Sequence, residues 1–260
     1  MTTDLMTYAI FPGTPDSPVI LHVPHASRSV AGAEFTISPS EVATELDHLT
    51  DAYTDMIARQ AAGASASRPW IFENRLSRLV VDPERFPDES EEMRAVGMGA
   101  VYTHGYARRR LRSDDPVRDE ALLRTHFRPY AAAMTDLVGE RLAATGRAVV
   151  IDVHSYPAVA LPYELHASGP RPEICLGSDA FHTPPVLLEA ASTAFSRFKR
   201  YVNSPFAGAY VPLAHYRRSP EVTALMIEIR RDQYMIEPAG APTAGLDVVA
   251  AALAHLVDAA

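Results

Sequence analysis

Residues Ala148 to Val153 form a run of small and β-branched apolar side chains interrupted by a single acid, Asp152. The run follows a helical segment closed by Gly146 and leads straight into His154-Ser155-Tyr156-Pro157. An apolar run without polar alternation leaves neither face for water, so it predicts a strand buried on both sides. Strands of that kind lie in sheets covered by helices on each face, which confines the chain to α/β architectures. Asp152 and His154 are two residues apart and so share a face at the strand's carboxyl end. Open α/β sheets bind their ligands at that end. A His beside an Asp there is either a metal-ligand or acid–base pair, or a core imidazole capped by a carboxylate.

The remaining chain repeats the theme. Residues 1–17 read as a lead-in strand or loop, and Val19–Val23 as a short buried strand ending at Pro24-His25. Ser38-Pro39-Ser40-Glu41 carries the marks of a capping box with proline at the first helical position. It predicts one helix running to about residue 62, with Val42, Leu46, Leu49, Tyr53, Met56 and Ile57 on its core stripe. Asp47 and Asp51 form a carboxylate row beside that stripe. Residues 67–72 read as a connector or short strand, Leu79–Val81 as a strand bracketed by Arg78 and Asp82, and residues 86–106 as a long irregular loop. A helical pattern from Pro116 to about residue 144 contains Pro129, which should kink or split it. Strands follow at about 173–177, 199–203 and 222–229, and helices start at Thr183 and Thr243. The alternation predicts a single α/β domain spanning residues 1–260, with a mixed, mostly parallel sheet flanked by helices.

Composition excludes several classes of function. The net charge of −8, with Arg108-Arg109-Arg110-Leu111-Arg112 as the only basic knot, argues against nucleic acid. A lone cysteine, Cys175, rules out an internal disulfide framework and suits a reducing compartment. No stretch reads as a signal peptide or a membrane span, so the expected location is the cytoplasm.

His25, His154 and Glu228 each stand at or just past the end of an apolar strand. With one further acid, they meet the needs of a catalytic zinc site: three protein ligands, an open position for water, and a general base. No HExxH is present, and the residue three after His25 is Arg28. The acidic ligand must come from the first helix, where Asp47 is preferred over Glu41, Glu45 and Asp51. Two His and a carboxylate also suit iron, manganese or cobalt. Glu228 would serve as the base, with Arg230, or alternatively Arg231, steadying the oxyanion. Asp82 can hold one Arg in a bidentate pair and leave another free for an anion. His22, His48, His104, His126, His166, His182, His215 and His255 have no spacing that singles them out and are read as structural.

At this point the chain resembles the N-formylglutamate amidohydrolases, zinc deformylases related in fold to metallocarboxypeptidases and aspartoacylases. The resemblance rests on Val23-Pro-His25-Ala-Ser, Glu45-Leu-Asp47-His-Leu-Thr-Asp51, Ser77-Arg78-Leu-Val-Val-Asp82-Pro-Glu-Arg85, Asp152-Val-His154-Ser155, Asn203-Ser-Pro-Phe-Ala-Gly208 and Glu228-Ile-Arg230-Arg231-Asp-Gln-Tyr234-Met235. It implies a phosphorylase/hydrolase-like, carboxypeptidase-like fold, and one zinc per chain on His25, Asp47 and His154. It also implies Glu228 as base, Arg78 and Arg85 gripping the carboxylate of an N-acyl amino acid, most simply N-formylglutamate, with Asp82 behind them, and Asn203 among the substrate-binding residues. The alternatives are a related metallo-deacylase or carboxypeptidase-like hydrolase of another small carboxylate, or a homologue that binds a metabolite without turnover. Two positions depart from the family pattern. Ala26-Ser27-Arg28 replaces an expected glycine, and Glu84 replaces an asparagine. An acid beside a carboxylate-binding site opposes the substrate.

Overall fold

The computed structural model describes residues 7–165 and 167–260. The first six residues of the lead-in segment and His166 lie outside the described residues. Seven strands, β1 (Tyr8–Phe11), β2 (Val19–Val23), β3 (Trp70–Asn74), β4 (Ala148–Tyr156), β5 (Ile174–Gly177), β6 (Arg200–Val202) and β7 (Val222–Arg230), form one sheet in the order β1-β3-β2-β4-β7-β5-β6. The pairings β2–β3, β2–β4, β4–β7 and β5–β6 are parallel, while β1–β3 and β5–β7 are antiparallel. The sheet is therefore mixed and mostly parallel, as the alternation of strand and helix patterns requires. β4 lies at its centre, and every one of its nine residues is buried.

Among the described residues six α-helices cover the sheet: α1 (Pro39–Leu49), α2 (Thr54–Ala64), α3 (Pro116–Leu122), α4 (Arg128–Thr145), α5 (Pro185–Ala194) and α6 (Gly245–Ala259). On one face, Val149, Ile151 and Val153 of β4 and Leu225, Ile227 and Ile229 of β7 pack with residues of α2, α5 and α6. On the other, Ala148, Val150, Val222 and Ala224 pack with Tyr130, Met134, Leu137 and Val138 of α4. The two-residue period of a strand then places Asp152, His154, Met226 and Glu228 on that second face, farther along and beyond the cover of α4. Gly146, in the left-handed region at φ 78°, ends α4 and turns the chain into β4.

Three predicted elements differ. The helix expected from Ser38 to about residue 62 is two helices. Its start carries the predicted capping box between Ser38 and Glu41, but α1 stops at Leu49 and the chain re-enters α2 through Tyr53 at φ 66°. The break has a tertiary cause, because the Asp51 amide donates to the His25 carbonyl at 3.0 Å instead of continuing the helix. Leu79–Val81 is a turn rather than a strand. Its side chains are buried in two satellite clusters under the 86–106 segment, so burial imitates a strand where no ladder exists. Pro129 neither kinks nor splits the helix at its own position. The chain widens into a π turn at Leu123–Phe127, where Arg128 N–H reaches Leu123 O, and this accommodates the missing proline donor.

Candidate active site

The carboxyl ends of β2, β4 and β7 and the α1–α2 break meet above the uncovered half of the sheet. β2 ends in the turn that carries His25, β4 carries His154, and register places Glu228 of β7 directly beside His154. The helix break supplies Asp51. His25 Nδ1 lies 3.2 Å from His154 Nδ1, His154 Nδ1 lies 3.2 Å from Asp51 Oδ2, and His25 Nδ1 lies 3.6 Å from Asp51 Oδ2. A tetrahedral ion with bonds of about 2.0–2.2 Å keeps its ligands about 3.3–3.6 Å apart. The three donors, each side chain at most 5 % exposed, thus outline one face of such a tetrahedron.

Each ligand-type side chain is held from behind. His25 Nε2 pairs with Asp82 Oδ1 at 2.9 Å. His154 Nε2 stands 2.9 Å from Asp152 Oδ2 and 3.2 Å from Glu84 Oε2, as charge contacts without good hydrogen-bond alignment. Asp51 Oδ1 accepts from Arg231 at 3.1 Å. Carboxylates behind imidazoles fix ring orientation and raise ligand basicity, the usual second layer of a metal site.

The electrostatics follow from this packing. Burial pushes the Asp51 carboxyl up, but hydrogen bonds from His154 and His25 and the charges of His25 and Arg231 carry it well below the ordinary range. Burial also pushes His154 down, and the carboxylates of Asp152 and Glu84 more than reverse this. In His25, burial and the Arg78 charge are outweighed by Asp82 and Asp51. Burial lifts the Glu228 carboxyl to about 8, helped by the Asp51 charge and opposed by His154, Arg78 and Arg231.

Imidazoles raised above 6.5 keep protons that a metal must displace. Metal affinity should therefore rise with pH across the neutral range, with protons released on binding. Calorimetric zinc titrations at about pH 6 and about pH 8, in buffers of different ionisation enthalpy, check this. In metal-free protein the same raised values stabilise the fold below about pH 6.5, and the contribution is lost as pH rises through them. The melting temperature without metal should fall over that window.

The site floors a cavity of about 460 Å³ whose wall includes Arg78, Arg85, Tyr163, Asn203, Glu228 and Arg231. Arg78 is committed: its Nε and Nη2 donate to Asp82 Oδ2 at 3.2 and 2.8 Å, and its Nε also reaches Tyr102 Oη. Arg85 makes no hydrogen bond to another described residue, and its nearest carboxylates, Asp82 and Glu91, lie 3.5 and 3.8 Å away. It is the guanidinium with donors to spare for an anion.

A family model described as N-formylglutamate amidohydrolase matches residues 17–235. The chain belongs to this family. Its members are hydrolases acting on amides, and the fold agrees. The crystal structure of N-formylglutamate amidohydrolase from Ralstonia eutropha superposes with a TM-score of 0.83 at 20% identity, covering 98% of this chain and 96% of that one. A gene product from Agrobacterium tumefaciens superposes with a TM-score of 0.73 at 19% identity, covering 99% and 95%. At these identities the likeness is one of fold. Among curated proteins none matches the chain.

For this N-formylglutamate amidohydrolase family member, the structure brings His25, His154 and Glu228 together and places two other expected residues elsewhere. Asp47 is not at the site. It lies on the outer side of α1 and pairs with Arg28 at 2.6 Å, both side chains being substantially exposed. Asp51 stands in its place. Arg28, one of the departures, is thus the partner that holds Asp47 away. Arg230 also lies outside the cavity wall, bound to Asp232 at 2.8 Å, whereas Arg231 reaches in to Asp51, Ser155 Oγ and the His48 carbonyl. Strand alternation carries the signal for this exchange only up to Arg230, the last residue of β7, because a short 3-10 turn begins at Arg231 and re-aims the side chains that follow.

Arg78, Arg85 and Asn203 do line the cavity, though both ends of the Asn203 amide are engaged by Ser178. Glu84 turns its oxygens to the imidazoles of His22 and His154, and among the described residues it makes no ion pair with Arg85. Tyr163 escaped notice in the sequence. It sits in an irregular segment, and no periodicity marks it. His22 is a satisfied core histidine, bound to Asp152 and Tyr130. Among the described residues no helix is long and apolar enough to cross a membrane.

Proposed function

We propose that the protein is a zinc-dependent amidohydrolase of N-formyl amino acids, acting most simply on N-formylglutamate to give formate and glutamate. The observation that carries this reading is the convergence of His25, His154 and Asp51 at tetrahedral spacing beside an unpartnered Glu228 oxygen. The donor set fits zinc, with both imidazoles presenting Nδ1 and each second nitrogen facing a carboxylate. A divalent ion held there supplies Lewis acidity and a water acidified toward about pH 7.

The chain's own groups do the rest. Glu228, open to the cavity, takes the proton from water and returns it to the leaving nitrogen. Burial and the Asp51 charge lift its carboxyl to about 8 in the metal-free protein, which makes it a stronger proton acceptor than an ordinary carboxylate once a bound cation holds it ionised. Arg85 holds the substrate carboxylate and thereby places the amide over the ligand cluster, with the charge of Arg78, bound to Asp82, beside it. Hydrogen bonds from His154 and His25, with the Arg231 charge behind them, hold Asp51 ionised.

The test is direct. Protein purified without chelator should carry about one zinc per chain and release formate from N-formylglutamate. It should not release formate from N-formyl derivatives of amines that lack the carboxylate. Zinc-loaded protein that leaves N-formylglutamate intact would overturn the reading.

A further inference from the structure

The sheet face that bears His154 and Glu228 has more room than a formyl group needs. Beyond the residues capped by α4, a second cavity of about 560 Å³ lies over Asp152 and Met226. The ligand-bearing cavity lies over His154 and Glu228. Same-face neighbours on a strand are about 6.5–7 Å apart, so the two spaces sit one pleat repeat from each other. They share Glu84, Arg85, Glu92, Ala207 and Met226 as a common wall.

The two spaces differ in chemistry. The ligand-bearing one holds both imidazoles, Asp51, Glu228, Arg78 and Arg231. The other is walled largely by apolar groups, among them Phe86, Phe127, Ala132, Val211 and Tyr216. Three of the five shared residues, Glu84, Arg85 and Met226, carry long side chains. Glu84 points its oxygens at imidazole nitrogens and leaves its methylene stem in the wall, Arg85 has no hydrogen bond to another described residue to hold it, and Met226 is unbranched and adaptable.

We propose that this second space is an acyl pocket, and that the enzyme's substrates include N-acyl amino acids with a medium-length aliphatic acyl chain. The inference rests on the amidohydrolase reading above. With the carboxylate at Arg85 and Arg78 and the amide over the ligand cluster, the acyl chain leaves from the opposite side of the C–N bond. A chain that crosses one pleat repeat enters the apolar space, whereas a formyl group, carrying only hydrogen, leaves it unused.

Calorimetric binding to zinc-loaded Glu228→Gln protein tests this without turnover. N-hexanoyl-L-glutamate should bind about 10- to 100-fold tighter than N-formyl-L-glutamate, as expected if two or three of its five additional carbons are buried, each worth about a factor of four. Ala132→Phe, at an exposed alanine on the cavity wall, should remove that advantage and leave N-formyl-L-glutamate binding unchanged. If that variant fails to fold, Ala214→Phe, also exposed on the wall, carries the same test. Equal or weaker binding of the hexanoyl compound, or an advantage that survives the filled cavity, overturns the pocket. Hydrolysis of N-formylglutamate without any hexanoyl advantage overturns the pocket alone. A hexanoyl advantage abolished by Ala132→Phe, in wild-type protein that hydrolyses neither compound, upholds the pocket and overturns the amidohydrolase reading.

Discussion

Glu228→Gln should lower kcat for amide hydrolysis by about 10²- to 10⁴-fold, the range set by loss of a positioned general base. The substitution keeps the side chain's size and polarity and removes only its capacity to take a proton. Zinc content should stay at wild-type level, because Glu228 is not among the three clustered donors. KM should change little, since Arg78 and Arg85 are untouched. A variant that retains activity within a factor of about three would assign the proton transfer to another group. Loss of activity together with loss of zinc would instead make Glu228 part of the metal site. Metal analysis and steady-state kinetics on the same preparation separate these outcomes.

The second large effect distinguishes two acids four residues apart. Asp51→Asn should weaken zinc binding by more than the roughly 10- to 100-fold typical of losing a partner behind a ligand, because here a ligand itself is replaced. It should also cost about 3 kcal/mol of stability, since Arg231, only 3 % exposed, loses the carboxylate that balances its charge. Asp47→Asn should leave zinc affinity unchanged and alter stability by about 0.5 kcal/mol or less, as expected for an exposed ion pair. Competition with a chromophoric chelator and urea unfolding measure the two quantities. Zinc binding that follows Asp47 rather than Asp51 would refute the site described here.

The same pair shows how far the sequence can be read. Apolar runs ending in His25, Asp152-Val-His154 and Glu228 place three groups at strand ends, and parallel pairing of β2, β4 and β7 brings strand ends to a common edge. Those positions are legible because strand alternation is a local property. Asp51 is not legible in this way. A helix at 3.6 residues per turn predicts Asp47 and Asp51 on one continuous surface. The break between α1 and α2 arises from a hydrogen bond to the His25 carbonyl, a residue of another element. Leu79–Val81 failed for a related reason, since an apolar run reports burial without reporting a strand partner. Arg230 and Arg231 are indistinguishable by composition, and only the 3-10 turn after β7 aims one into the cavity and the other at Asp232.

Residue order alone settled the α/β class, the central buried strand, the edge at which chemistry collects, and the residue types available there, because each is written in hydrophobic period and strand polarity. The choice of acid, the choice of arginine, and the second, apolar space beside the ligand cluster came from packing. They depend on where α1 stops, which the hydrogen bond from Asp51 to the His25 carbonyl sets, and on contacts between segments more than a hundred residues apart, such as His25 with His154 and Asp51 with Arg231, which no local pattern records.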